Sequence, residues 1–313
     1  MSTAEFSPGI ELQRQPLTPA QVALRRFRRH KMAIFGLVLL ALLVLYVTLG
    51  ALFVSEADAN RVNLSNKLSP PSWEHPFGTD LAGRDILART IYGGQISLMI
   101  GVLAVAVSIV VGVLIGATAG YYGGAVDSGL MRFTEAVFNI PQIFLLMVLA
   151  KFFATDTPNT TLFGREFSGS VMIIVVVIGL TSWMYLARMV RSQFLSFKEQ
   201  EFVAAARCTG ARNRSIIFEH ILPNTSAAII VTATLEVATA ILAEAYISFL
   251  GLGVQPPTAT WGNMLSEAYN HIESAPWMWF FPGTLILLTV LAINFVGDGL
   301  RDAVDPRSTG GSR

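Results

Sequence analysis

Residues 201–223 read EFVAAARCTGARNRSIIFEHILP and lie between two apolar runs, 170–190 and 225–249, each long enough to cross a bilayer. A short hydrophilic turn would suffice to join two spans, so the make-up of this connector carries information. Helix formers dominate from Glu201 to Cys208, and Gly210 then offers the left-handed conformation that ends helices. Beyond it Ile216, Ile217, His220 and Ile221 recur at helical spacing, which predicts a second short helix with an apolar stripe. Pro223 removes a backbone donor where the next span starts. The expected product is two short helices set at an angle, with Ala204, Ala205 and Ala206 permitting close approach and Glu201, Arg207, Arg212 and Arg214 around them. Such a knob suits docking into a groove on a partner protein. A helix that merely lay on lipid would carry bulky apolar side chains where this one has alanines.

The surrounding chain sets the class. Of 313 residues, 53% are hydrophobic and 14% charged, and mean hydropathy is +0.55, more apolar than one soluble core accommodates. A span needs about 20 mainly apolar residues for about 30 Å of hydrocarbon. Six segments qualify: 32–54, 96–119, 132–153, 170–190, 225–249 and 278–299. The fold expected is therefore all-α, a polytopic membrane protein with six transmembrane helices. Its divisions are a basic N-terminal segment 1–31, a first span and outer loop 32–95, a core transmembrane domain 96–300 containing the connector 191–224, and a tail 301–313. The lone Cys208 excludes an intrachain disulfide and a cysteine metal site. No G-x-x-x-x-G-K-[ST] phosphate loop, H-E-x-x-H or G-x-S-x-G is present, so no ATP site, metal, cofactor or catalytic residue is expected in this chain.

RRFRRHK at 25–31 precedes an apolar run too long for a cleaved signal, which reads as a retained anchor with its N-terminus in the cytoplasm. With six spans this orientation puts 16 of the 22 Lys and Arg inside and leaves Arg61, Lys67, Arg84, Arg89, Lys151 and Arg165 outside. That bias favours both termini and the connector being cytoplasmic. Thr18-Pro19 then opens a short basic helix, readable as lying on the anionic inner leaflet or as a topology signal alone. On the outer side Thr79 or Asp80 is expected to cap a short amphipathic helix, with Asp85 pairing with Arg89 four residues on. The Gly- and Pro-rich loop 250–277 predicts ordered non-helical backbone, with Trp261 and Trp277 at headgroup level.

The order Glu201, Ala204-Ala205, Gly210, Ile217 and Leu222-Pro223 resembles the EAA motif of ABC importer permeases. HPFGTDLAGRDILARTIYGG at 75–94, SFLGLGVQPPTATWGNML at 248–265 and FPGTLILLTVLAINFVGDGLRDAVDPR at 281–307 narrow the likeness. Together they resemble the second permease of the dipeptide and oligopeptide importers, a group that also includes nickel, glutathione and antimicrobial-peptide transporters. The resemblance implies a type I importer permease fold in a bacterial inner membrane. It also implies pairing with a second permease, two cytoplasmic ATP-binding subunits docked on the connector, and an extracytoplasmic substrate-binding protein. In that family the motif forms a coupling helix, which carries over to Glu201, Ala204, Ala205, Arg207, Gly210 and Pro223. No nucleic-acid partner is implied, and the ATPase activity belongs to the partner subunits.

Charges inside spans are costly, about 2.5–3.5 kcal/mol each on insertion scales, so Glu236 and Glu244 in the fifth span must face protein or a watery cavity. They either line a pathway and attract the ammonium end of a peptide, or pair with polar groups of neighbouring helices. Pro141, with Glu135 and Asn139, predicts a kink in the third span that serves as a hinge or as plain packing. Asn294 is expected to bond a neighbouring helix. A secondary transporter is the more distant reading, but no inverted repeat or pair of interrupted helices stands out, and such a protein has no use for a docking knob.

Overall fold

The computed structural model describes residues 18–153, 160–162 and 165–305. Its elements in chain order are α1 (Pro19–Phe27), α2 (Lys31–Phe53), α3 (Glu56–Asn60), α4 (Ile86–Tyr122), α5 (Gly124–Phe138), α6 (Gln142–Phe153), the hairpin β1 (Thr160–Leu162) and β2 (Arg165–Phe167), α7 (Gly169–Lys198), α8 (Glu201–Cys208), α9 (Asn213–Ser215), α10 (Leu222–Phe249), α11 (Trp261–Ala268) and α12 (Trp277–Val304). Five helical stretches among the described residues are long and apolar enough to cross a membrane, and the α5–α6 pair supplies a sixth if taken as one span.

The pair is broken rather than gently kinked: α5 and α6 meet at 85°. Asn139 Nδ2 donates back to the Glu135 carbonyl at 2.8 Å and closes α5. Pro141, which cannot donate, instead becomes the first acceptor of the next turn, taking the amides of Phe144 and Leu145.

Helix packing rests on small residues. α4 and α7 form the most extensive pair, and α10 packs against α4, α7 and α12. At Gly36 a Cβ would lie 2.7 Å from the Ala292 carbonyl oxygen, so only glycine lets α2 approach α12 so closely. With no water to escape inside the bilayer, the association of these helices depends on such close contact. Asn294, expected to bond across helices, makes no side-chain hydrogen bond to the described residues.

Two helices extend beyond their expected limits. α4 starts at Ile86, ten residues before the predicted span, and its N-cap is Asp85, whose Oδ1 accepts from the Ala88 amide at 2.8 Å. No separate amphipathic helix precedes it: Thr79 and Asp80 are buried in the preceding loop. Asp85 pairs with His75 at 2.8 Å, while Arg89 lies against Asp80 and Glu267, so the predicted Asp85–Arg89 pair is not formed. The fifth span likewise runs from Asn213 to Phe249. A π turn, Ile216–Ile221, stands just before Pro223. The widened turn accommodates a proline whose missing N–H would break regular α geometry, so the helix continues through it.

The region around loop 250–277 also differs from expectation. Loop 250–277 contains α11, capped by Thr260 and Asn263 reciprocally. Trp261 is fully buried between α2, α4 and α10, with Nε1 donating to the Thr90 carbonyl at 2.9 Å. It is a core residue and no headgroup anchor. Trp277 is partly buried and donates to the Thr79 carbonyl at 3.1 Å, beside the stacked Phe77 and Phe281 rings. Arg84 joins Asp80 at 2.6 Å to Glu267 at 2.8 Å, fastening the 75–85 loop to α11.

Candidate functional site

The connector folds as a shaped knob. Val203 of α8 is buried in a cluster with Val190 and Phe194 of α7 and Ile216 and Ile221 of the π turn, and Ala206 is buried on the same side of the helix. The opposite face presents Glu201, Ala204, Ala205 and Arg207 to solvent. Glu201 sits in the first turn and Arg207 in the last, each of the sign that suits its end of the helix.

The end of α8 is fixed by a Schellman motif. The Ala211 amide donates to the Ala206 carbonyl and the Gly210 amide to the Arg207 carbonyl, both at 3.0 Å. Gly210 has φ +81°, and a Cβ there would meet nothing within 4 Å, so backbone conformation alone selects glycine. The chain then turns into α9, where Tyr121 Oη at the end of α4 donates to Asn213 Oδ1 at 2.8 Å. The knob is thus bonded to α4 as well as packed on α7. Of the six residues expected to couple, Glu201, Ala204, Ala205, Arg207 and Gly210 share this small surface. Pro223 stands apart, exposed in the second turn-forming segment where the π turn passes into α10.

Ala206 lies on the buried side, so the three expected contact alanines divide into two outward and one inward.

A second feature is an open cavity of about 790 Å³ between the α5–α6 break, α7, α10 and the end of α12. Its polar lining includes Gln142, Gln193, Thr232, Glu236 and Arg301. Ser108 Oγ donates to Glu236 Oε2 at 3.1 Å, and Oε1 is buried without a hydrogen-bond partner among the described residues. A buried carboxylate oxygen with spare acceptor capacity, beside a cavity, can receive an N–H or ammonium donor. Sequence reasoning missed Gln193 and Arg301, which come to the cavity only because α7 and α12 end beside α10.

Glu244 is arranged differently. It is fully buried, accepts from Ser97 Oγ at 3.1 Å and Ser248 Oγ at 2.7 Å, and does not line the cavity. Ser97 Oγ in turn receives the Trp261 amide at 3.2 Å. The group therefore joins α4, α10 and α11 through one polar chain.

The chain is similar to known proteins over most of its length. Residues 112–310 match the family model described as binding-protein-dependent transport system inner membrane component, and residues 18–71 match the N-terminal TM domain of oligopeptide transport permease C. The chain is 44% identical over 292 residues to a putative peptide permease protein of Brucella suis biovar 1, covering 93% of this chain and 92% of that one. It is 40% identical over 303 residues to the oligopeptide transport system permease protein OppC of Haemophilus influenzae, covering 95% and 91%. Against the dipeptide transport system permease protein DppC of Alkalihalophilus pseudofirmus it is 40% identical over 307 residues, covering 98% and 96%. Among solved structures, an inward-facing form of the MetNI methionine ABC transporter has a chain similar to this one at TM-score 0.54 and 19% identity, covering 70% of this chain and 98% of that one, a likeness of fold.

Proposed function

Because the chain belongs to the family of binding-protein-dependent transport system inner membrane components, we propose that it is a permease subunit of an ATP-driven importer of dipeptides or oligopeptides and that α8 is its coupling element. It works in a bacterial inner membrane, paired with a second permease, with both termini in the cytoplasm. Two ATP-binding subunits hydrolyse ATP below it, and a substrate-binding protein delivers peptide from outside.

The observation that carries the reading is the division of α8 into a locked face and an open one. Val203 fixes it to α7 and the start of α10, while the exposed Ala204 and Ala205 leave a shallow surface between the longer side chains of Phe202 and Arg207. A push on that surface moves α7 and α10 together, because α8 has few internal degrees of freedom left after the Schellman closure and the Tyr121–Asn213 bond. Both helices line the cavity, so closure of the ATP-binding subunits is converted into a change in the cavity's walls. Glu236 lines the transport pathway there and receives the ammonium end of the peptide. Glu244 serves the scaffold instead, since its carboxylate is already occupied.

Ala205→Arg tests the reading, because it adds bulk and charge to the open face without touching the buried one. Isolated from membranes, the wild-type chain should carry its ATP-binding subunits and the variant should lose them along with peptide uptake. Undiminished co-purification and uptake by the variant would refute α8 as the docking element.

A further inference from the structure

α1 is an independently capped helix: Thr18 and Gln21 form a reciprocal capping box at its start. One side of it is committed to protein. Phe27 and Ala23 pack with Val296, Leu300 and Ala303 of α12. Arg26 Nη1 donates to the Asp305 carbonyl at 2.9 Å, and His30 Nε2 lies 3.4 Å from Asp302 Oδ2. The Arg26 and His30 side chains turned toward α12 therefore meet oxygens of Asp305 and Asp302 there.

The other side is left open. Arg25, Arg28, Arg29 and Lys31 are exposed, and no carboxylate of the described residues pairs with them. Gln21, Leu24, Arg25, Arg28 and Arg29 line a shallow groove of about 360 Å³. Its depth in the membrane follows from α2, whose exposed apolar stripe of Leu49, Leu45, Leu42, Val38, Phe35 and Met32 runs down to the junction with α1. Such a stripe requires hydrocarbon, so the plane of the headgroups falls at that junction. Leu24, 52% exposed within the arginine groove, continues the apolar flank. A soluble acidic protein would have to wedge against lipid to reach this groove, whereas the plane of lipid phosphates passes through its level.

We infer that Arg25, Arg28 and Arg29 form a binding site for the headgroups of anionic phospholipids, with Leu24 against the acyl chains. The site acts on the permease through α12, since Arg301 and Val304, next to the α1 contacts, line the cavity. The inference rests on the reading of the chain as a membrane permease. It does not depend on α8 or on which leaflet faces the cytoplasm, because the test uses bilayers with the same composition on both sides.

The full-length chain, with whatever subunits accompany it, is placed in nanodiscs of phosphatidylcholine containing increasing phosphatidylglycerol, and amide exchange of residues 19–29 is followed. Protection should rise with phosphatidylglycerol. An arginine beside an anionic surface is worth about fivefold in affinity, so R25Q/R28Q/R29Q, weakened on the order of a hundredfold, should show little rise in protection over the same range of phosphatidylglycerol, while R25K/R28K/R29K should behave like wild type. Wild-type protection that is independent of phosphatidylglycerol overturns the inference, whether or not the glutamine variant folds. So does an unchanged dependence in a folded glutamine variant. Equal protection from inorganic phosphate in pure phosphatidylcholine would assign the groove to a soluble anion and reject the lipid. Loss of an accompanying subunit from the glutamine variant, with its lipid dependence intact, would make the occupant a protein.

Discussion

Arg191 Nη2 donates to Asp127 Oδ2 at 2.6 Å, and Arg191 Nε donates to the other carboxylate oxygen, so α5 is clamped to α7 by a bidentate pair one turn from Phe194, the residue on which α8 rests. At the far end of α5, the Arg188 guanidinium lies 4.2 Å from the centre of the Phe138 ring, which lines the cavity. α5 is thereby held at both ends by the part of α7 that carries the coupling element. Motion of α7 therefore moves α5, and with it Phe138 in the cavity wall, as well as the part of the wall that α7 itself supplies.

Asp127→Ala should therefore lower peptide uptake per ATP hydrolysed by several fold. The pair is only partly shielded from solvent, and its loss should cost about 1 kcal/mol of stability. Reconstituted vesicles give both the ATPase rate and the uptake rate. The exchanged pair D127R/R191D should recover coupling that neither single variant has, a result that a simple loss of packing does not produce.

Gly210→Val forces a branched β-carbon into the left-handed region, which costs about 1–2 kcal/mol and opens the Schellman closure of α8. The variant should insert in normal amounts and fail to transport. Gly210→Asn, which tolerates that conformation, should retain most of the activity. Quantitative membrane blotting beside uptake separates insertion from function.

The two intramembrane glutamates should part company. Glu236→Gln keeps the Ser108 bond but removes the charge that receives an ammonium group, so uptake of free peptides should fall toward that of N-acetylated ones. Glu244→Ala should leave that preference alone and instead lower thermal stability by about 3 kcal/mol, because Ser97 and Ser248 lose a buried acceptor and a cavity opens. Uptake competition and a melting curve for each variant check the division.

Trp261→Ala should be among the most damaging single changes in the chain. It removes a fully buried indole that contacts α2, α4 and α10 and bonds to Thr90, at a cost of about 3–5 kcal/mol. Folded yield in detergent, measured by size-exclusion profile, should drop sharply.

What was legible in the sequence was whatever depends on local composition. Apolar run length placed the spans, and the Ala-rich stretch followed by Gly210 described α8 and its closure correctly down to the turn. What escaped was decided by contacts between distant residues. Thr79 and Asp80 look as able to cap a helix as Asp85, and only their burial against Asn66, Ser69 and Arg84 removes them from that task. Pro223 looks like a helix boundary, but a π turn ahead of it lets the helix run through. Trp261 has the composition of an interfacial anchor, yet Gly94 leaves a space on α4 that the indole fills, where a Cβ would lie 2.5 Å from the ring. For the same reason Glu236 and Glu244, eight residues apart on one helix, could not be told apart before their neighbours were known.

The most direct measurement is site-directed crosslinking from α8 to the ATP-binding subunits. With the exposed Cys208 replaced by Ser, single cysteines are placed at the outward positions, Ala204→Cys and Ala205→Cys, and at the inward ones, Val203→Cys and Ala206→Cys. Coupling through the open face of α8 predicts crosslinks to an ATP-binding subunit from the first two positions, altered by ATP, and none from the other two. Absence of crosslinks at Ala204→Cys and Ala205→Cys in a transporter that still takes up peptide would contradict it.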